Sequence, residues 1–332
     1  MPLKGSISLS DLAAKAGLLE DKLARILRYA MTNFIFYEPE PNYIAHTMLS
    51  ATLAREPSFA TFLRLVLVDL APIAVALPSA LRKWPQSEAP IECGVNAAFN
   101  TNDPFFKWLS RNEMRQARFD AGMVGFSTSE GQAGGRPDNV DVAAYPWGEV
   151  LPSNASVVDV GGGSGHVSRA LAKAFPTFTI TVQDRPEVID ATRKENSAPH
   201  NVSFQAHSFF EPQPLAGADV YFLRQIMHDW PRKEAIDILR ALVPALKPGA
   251  RVLISEYVVP AAEELSDPSQ VLDAKLIREM DLQMMAVFNS KERTKSEFAS
   301  LFSAADPRLR FQATYQVPED RKSCIFEAVW EP

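Results

Sequence analysis

The chain holds only 2 cysteines in 332 residues, Cys93 and Cys324. Two thiols so far apart make neither a disulfide framework nor the paired spacing of a zinc site, so a reducing intracellular setting and no bound metal are expected. Positive charge is not in excess either: 34 Lys and Arg stand against 40 Asp and Glu, a net charge of −6. That excludes a general attraction to nucleic acid or anionic lipid. The most apolar stretch, Leu63 to Leu81, contains Arg64, Asp69, Pro72 and Pro78. It reads as too short and too broken for the ~20 apolar residues a bilayer requires. Residues 1–10 lack the charged-then-apolar order of a signal peptide, which points to a cytoplasmic protein. Glycine is also scarce, yet four of the 15 fall within five residues: Gly161, Gly162, Gly163 and Gly165. Such clustering marks a place where backbone must approach something closely.

The remaining composition, 46% hydrophobic and 22% charged, is that of a folded chain long enough for one large or two ordinary domains. Ser10 before Asp11 to Ala16, with Gly17 after, reads as a capped short helix. Leu19, Leu23, Ile26, Leu27, Ala30 and Met31 recur at helical spacing and predict an amphipathic helix over Glu20 to Thr32. Two short strands, Phe34–Tyr37 and Tyr43–Ala45, follow around a Pro-rich turn. Helix, helix and hairpin suggest a winged-helix module. Over residues 1–50, however, five basic residues balance five acidic ones, so a dimerising role is expected rather than phosphate contacts to DNA. Helical pattern then runs to about Met123, and Ser127 to Asp141, with Gly131, Gly134, Gly135 and Pro137, reads as a connector.

Beyond Trp147 the texture changes. Val157–Val160, Phe178–Val182, Val220–Leu223 and Arg251–Ile254 are short β-branched or aromatic runs separated by helical stretches, Val167–Ala174 and Lys233–Leu246 among them. Strands alternating with helices imply a doubly wound, mostly parallel α/β sheet with its ligand at the strands' C-terminal ends. The expected domains are 1–125, helical, and 126–332, carrying the sheet. The glycine cluster follows the first of these strands and opens a helix. A dinucleotide fingerprint fails there, because His166 and Ser168 stand where its last glycine belongs. Asp159, Gly161, Gly163 and Gly165 fit D-x-G-x-G-x-G instead, the pattern of S-adenosylmethionine-dependent methyltransferases. Asp184 follows the second strand about 20 residues on, where a carboxylate accepts from ribose hydroxyls. His228, in Arg224-Gln225-Ile226-Met227-His228-Asp229-Trp230-Pro231, lies just past a strand end, where an acid/base group belongs.

These residues, together with Phe209-Phe210-Glu211-Pro212-Gln213-Pro214 and Asn289-Ser290-Lys291-Glu292-Arg293-Thr294, resemble the O-methyltransferases of plant and fungal secondary metabolism, the group including caffeate and flavonoid O-methyltransferases. The fungal polyketide-modifying branch is the nearer likeness. The resemblance covers Val157 to Trp330 and the N-terminal module. It implies a Rossmann-like class I methyltransferase fold with an N-terminal winged-helix dimerisation domain, a homodimer, and transfer of a methyl group from S-adenosyl-L-methionine to a small aromatic or polyketide hydroxyl, leaving S-adenosyl-L-homocysteine.

By the same resemblance, Asp159, Gly161, Gly162 and Gly163 hold the methionine part, Asp184 the ribose and Ser208 and Phe209 the adenine, while Arg224 replaces a basic residue near the cofactor. His228 matches the general base, flanked by Glu256 and Glu292. Met284 or Met285, and Phe105 or Trp108, are expected to line the acceptor pocket, with core packing the role of most other Met and aromatic residues nearby. Ser208 stands where the family has an acid, which implies looser adenine binding. The chain also starts almost at the winged helix, where relatives carry further helices, which implies either a smaller dimer or a truncated sequence. Two other functions fit the same fold: recruitment to pericyclic or cyclisation chemistry, and non-enzymatic regulation through the winged helix.

Overall fold

Val157, Val158 and Val160 are buried on both faces of the strand Ser156–Val160, the burial of a central parallel strand rather than a half-exposed one. The protein is described here from a computed structural model over residues 1–128, 140–194, 199–260, 268–316 and 322–332. Along the chain come β1 (Ser6–Ser8), α1 (Leu9–Ala16), α2 (Glu20–Thr32), β2 (Phe36–Glu40), β3 (Tyr43–His46), α3 (Met48–Arg55) and α4 (Pro57–Leu65). A π-helical turn, Val66–Leu70, leads to α5 (Ala71–Lys83), α6 (Gly94–Phe99), α7 (Phe105–Ser110), α8 (Glu113–Thr128), α9 (Val140–Ala144) and α10 (Trp147–Val150). Then follow β4 (Ser156–Val160), α11 (His166–Ala174), β5 (Thr179–Asp184), α12 (Pro186–Lys194), β6 (Val202–Ala206), β7 (Val220–Arg224), α13 (Arg232–Leu242) and β8 (Arg251–Tyr257). The chain closes with α14 (Pro268–Phe288), α15 (Lys295–Ala305), β9 (Leu309–Gln316) and β10 (Ser323–Trp330).

The described residues fall into two compact units, 1–67 with 117–128, and 68–116 with the described residues from 140 onward. The sequence suggested one boundary at 125/126. Residues 71–110 join the sheet-bearing unit because α5 and α6 pack on α14: Asn289 donates to the carbonyls of Ser87 and Ala89, and Cys93 Sγ donates to that of Val287. The connector read over Ser127 to Asp141 lies mostly outside the described residues.

In the first unit, α1 is capped by Ser8, whose Oγ accepts the Asp11 N–H at 3.1 Å, two residues before the expected Ser10. Ser8 ends β1, so its backbone already has the extended geometry a cap needs. Gly17 stops the helix at φ 65°. β1, β3 and β2 form an antiparallel sheet in that order.

The stretch expected to be broken by prolines is instead a continuous helical run, Phe59–Lys83, 25 residues long and apolar enough by length and composition to cross a membrane. Proline lacks an N–H and crowds the carbonyl four residues back. Pro72 is accommodated at the start of α5, directly after the wider π turn, and Pro78 lies inside that helix.

In the second unit, seven strands run β6-β5-β4-β7-β8-β10-β9, parallel from β6 to β8, with β10 antiparallel between β8 and β9. One apolar cluster, with Leu223, Ile238, Ile254, Phe298 and Phe326, packs α13 and α15 on one face. A second, with Trp147, Val157, Leu171, Ile180 and Phe222, packs α10 and α11 on the other. The chain leaves β4 for β5 and β6 on one side, then crosses to β7 on the other. The strand order therefore reverses beside β4, which opens a crevice at its C-terminal end.

Candidate active site

Gly161, Gly163 and Gly165 all have φ between 59° and 75°, backbone that a side chain would strain, and they wind the chain from β4 into α11. The turn is tied to β5. Gly161 and Gly162 donate to the Gln183 carbonyl (2.8 and 3.1 Å), and Gly163 donates to Asp184 Oδ2 (2.9 Å). A Cβ on Gly162 would lie 2.5 Å from the Asp159 carboxyl carbon, and one on Gly161 2.5 Å from Ile226 Cδ1. Asp159 is thus buried beneath the turn, where it accepts from Ser168 Oγ at 2.6 Å and burial raises its pKa to about 6.

Asp184 also accepts the Arg185 N–H at 2.7 Å, and burial raises its pKa. Its carbonyl accepts from His207 N–H at 2.9 Å, which draws in the loop bearing Ser208 and Phe209. Ser208 is exposed. Phe209 approaches the glycine turn, its ring 3.5 Å from where a Gly161 Cβ would be. At the end of β7, Arg224 Nε is 2.7 Å from Asp141 Oδ2 in a buried ion pair, and Ser255 Oγ donates to the other Asp141 oxygen.

His228 sits on the 3-10 turn Met227–Asp229 just past β7. Glu256, on β8, shapes that turn by accepting the N–H groups of Ile226 and Met227 on Oε1 (2.9 and 2.7 Å), and its Oε2 lies 3.7 Å from His228 Nδ1. Glu292 Oε1 is 2.9 Å from the same Nδ1, while Asp229 Oδ1 is 3.5 Å from Nε2. The buried Arg293 braces the turn from behind, donating to the carbonyls of Met227 and Trp230.

Burial by itself would lower the His228 pKa, but Glu256, Glu292 and Asp229 overcome it and raise the pKa well above the ordinary imidazole value. Burial pushes Asp229 up to about 7 and raises Glu256, with the charge on His228 opposing both shifts. Oε2 of Glu256 and Oε2 of Glu292 are buried without a hydrogen-bond partner. Ligand atoms of His228, Glu256 and Glu292 lie within 4.8 Å of one another, a spacing that also suits a metal ion.

Aromatic rings gather beside this cluster. Phe288 meets Phe105 and Phe106 at centroid distances of 5.1 and 5.4 Å; Phe106 lies 6.3 Å from Trp230, which meets Phe209 and Phe210 at 5.9 and 4.7 Å. Trp108 is turned into packing, stacked on Phe99 at 4.5 Å with Arg115 over its ring. Met284 is buried, and Met285 lines a separate cavity of about 350 Å³ with Leu77, Leu81, Trp84 and Ser290. Sequence reasoning missed Asp141, whose partners lie 83 and 114 residues away. It also missed Arg185, whose guanidinium covers the Phe106 ring at 5.2 Å, although Arg185 directly follows the Asp184 that the motif did reveal.

The fold and the glycine turn define a class I S-adenosylmethionine-dependent methyltransferase. The turn fits such a cofactor at Gly163, where the backbone carries no side chain and a Cβ would meet nothing within 4 Å. An O-methyltransferase domain is matched over residues 148–306. The chain is similar to chlorophenol O-methyltransferase of Trichoderma longibrachiatum (40% identity, covering 100% of this chain and 70% of the relative). It is also similar to O-methyltransferase VdtC of Byssochlamys spectabilis (37%, covering 99% and 75%). Among solved structures, LepI in complex with SAH and a substrate analogue aligns with TM-score 0.82 at 26% identity, covering 98% of this chain and 81% of that one. A structure described as a pericyclic reaction enzyme aligns with TM-score 0.80 at 26% identity, with the same coverage. The chain belongs to the S-adenosylmethionine-dependent O-methyltransferases of secondary metabolism.

Proposed function

We propose that the enzyme methylates a phenolic or polyketide hydroxyl with His228 as general base. The observation that carries this reading is the buried His228–Glu292–Glu256 cluster beside the glycine turn. The bound cofactor supplies an electrophilic methyl on a sulfonium, already a good leaving group. A phenol of pKa about 10 is protonated at neutral pH, so the protein's task is to remove that proton as the oxygen attacks. Nδ1–H of His228 donates to Glu292, which leaves the Nε2 lone pair to take the proton. The glycine turn and Asp184 would hold the cofactor that donates the methyl, and Glu292, Glu256 and Asp229 stabilise the imidazolium left once Nε2 has taken the proton. Phe105, Phe106, Phe288 and Trp230 supply flat surfaces for an aromatic acceptor, and the name of the Trichoderma relative supports a phenol. We further propose that the enzyme works in the cytoplasm as a homodimer.

His228→Ala is expected to lower transfer of labelled methyl by a factor of about 10² to 10⁴ while still binding S-adenosylhomocysteine. Full activity in that variant removes the mechanism. The likeness to a pericyclic enzyme favours a second reading, in which the cofactor is bound but its methyl stays put. Labelled-methyl transfer separates the two, and retention of His228 with both glutamates supports transfer.

A further inference from the structure

Outside the reacting groups, two buried glutamines pair with each other. Gln183 Nε2 donates to Gln213 Oε1 at 2.9 Å, and Gln213 Nε2 returns the bond to Gln183 Oε1 at 2.8 Å. Gln183 Nε2 also donates to Gln205 Oε1 at 2.8 Å. The Leu215 N–H donates to Gln213 Oε1 at 3.1 Å; a backbone N–H can meet only the oxygen of that amide, so one donor sets how both side chains point. Gln183 is 1% and Gln213 6% exposed.

Two amides so deep in the protein add no more stability than well-packed apolar side chains would, and each is costly if its partner is lost. What they add is direction. Gln183 lies on β5, and its carbonyl accepts from Gly161 and Gly162. The next residue, Asp184, holds Gly163 with its side chain and His207 with its carbonyl. Gln213 closes the loop 207–215 that bears Ser208 and Phe209.

We infer that Gln183 and Gln213 are positioning residues for the cofactor: their amide pair locks the loop carrying Ser208 and Phe209 to the same strand residue that holds the glycine turn. The inference rests on the cofactor site read above and adds the means by which its segments keep register. Neither glutamine is a catalytic residue.

The test replaces the amide by a group that titrates. In Gln213→Glu, the protonated carboxyl offers Gln183 the same donor and acceptor. Ionised, it loses the donor and turns an anionic oxygen toward Gln183 Oε1. Burial raises the carboxyl pKa, so the change falls at a pH above the usual value of about 4.3. S-adenosylhomocysteine binding is measured by calorimetry from about pH 6 to about pH 9, each variant relative to wild type at the same pH. Gln213→Glu is expected to bind within about threefold of wild type at the acid end and at least about tenfold more weakly at the alkaline end, the scale of one lost buried hydrogen bond. Gln213→Met, which cannot make the pair, is expected to be about tenfold weaker at every pH, with KM for the cofactor raised and kcat within about twofold. Should Gln213→Glu fail to fold, Gln213→Met alone decides. Wild-type affinity in the variants, or a fall in kcat with KM unchanged, overturns the positioning role and leaves the cofactor site standing. A wild-type enzyme that does not bind S-adenosylhomocysteine overturns both.

Discussion

The cluster around His228 shows how burial and charge compete at one side chain. Desolvation favours the neutral ring, but three carboxyl groups face it and win, so the pKa lies well above the ordinary 6.5. A base must be unprotonated to act. Activity should therefore climb with pH on the acid side and reach half its plateau above the value for free imidazole. Glu292→Gln removes the charge nearest to Nδ1 and should move that limb to lower pH while reducing kcat, because the imidazolium loses its closest stabilising group. A pH–rate profile of wild type and variant checks both, and an unmoved limb would mean that Glu292 does not tune the base. This residue was legible in the sequence because the Glu-Arg-Thr run is local. That Glu256 also shapes the turn by holding Ile226 and Met227 was not, since those partners lie 30 and 29 residues away.

At the scale of elements, α6 is held by contacts between backbones. A Cβ at Gly94 would lie 2.6 Å from the Ala286 carbonyl oxygen on α14 and 2.8 Å from that of Ile73 on α5, neither of which can swing aside as a flexible side chain would. Gly94→Ala should cost about 1–3 kcal/mol in a urea melt, and a neutral result would show that the helices separate easily. The four strands expected between Val157 and Ile254 are present as β4, β5, β7 and β8, because buried β-branched runs announce themselves. The antiparallel insertion of β10 between β8 and β9 was not foreseen. Its register joins Glu327 to Leu253 and Ala313 at once, a choice made by distant strands and not by local pattern. Likewise, Pro72 and Pro78 were read as breaks, yet the helical run continues through both, Pro72 falling just after the π turn and Pro78 inside α5.

For the whole molecule, exposed apolar side chains decide what to test. Ile26, Tyr29, Phe34 and Met48 lie open in the first unit, as does Val75 in the second, with Met48 87% exposed. Burial of such surface against a second copy is the proposed source of the dimer. Light scattering on the purified enzyme should give about twice the 36.7 kDa chain mass, and Met48→Glu with Val75→Glu should shift it toward one. A monomeric wild type removes the proposal, and binding of the wild type to lipid vesicles would assign the Phe59–Lys83 helix to a membrane instead. The sequence by itself determined the parallel sheet, the glycine turn, Asp184 and the position of His228, because each depends on a short run of neighbouring residues. Only the tertiary structure decided how Glu256, Glu292 and Asp229 divide the two nitrogens of His228 among them, what Asp141 binds, and that Gln183 and Gln213 pair. Apart from Asp229, which adjoins His228, those groups lie 28 to 114 residues apart in the chain, and only the folded sheet brings them within hydrogen-bond or ion-pair reach.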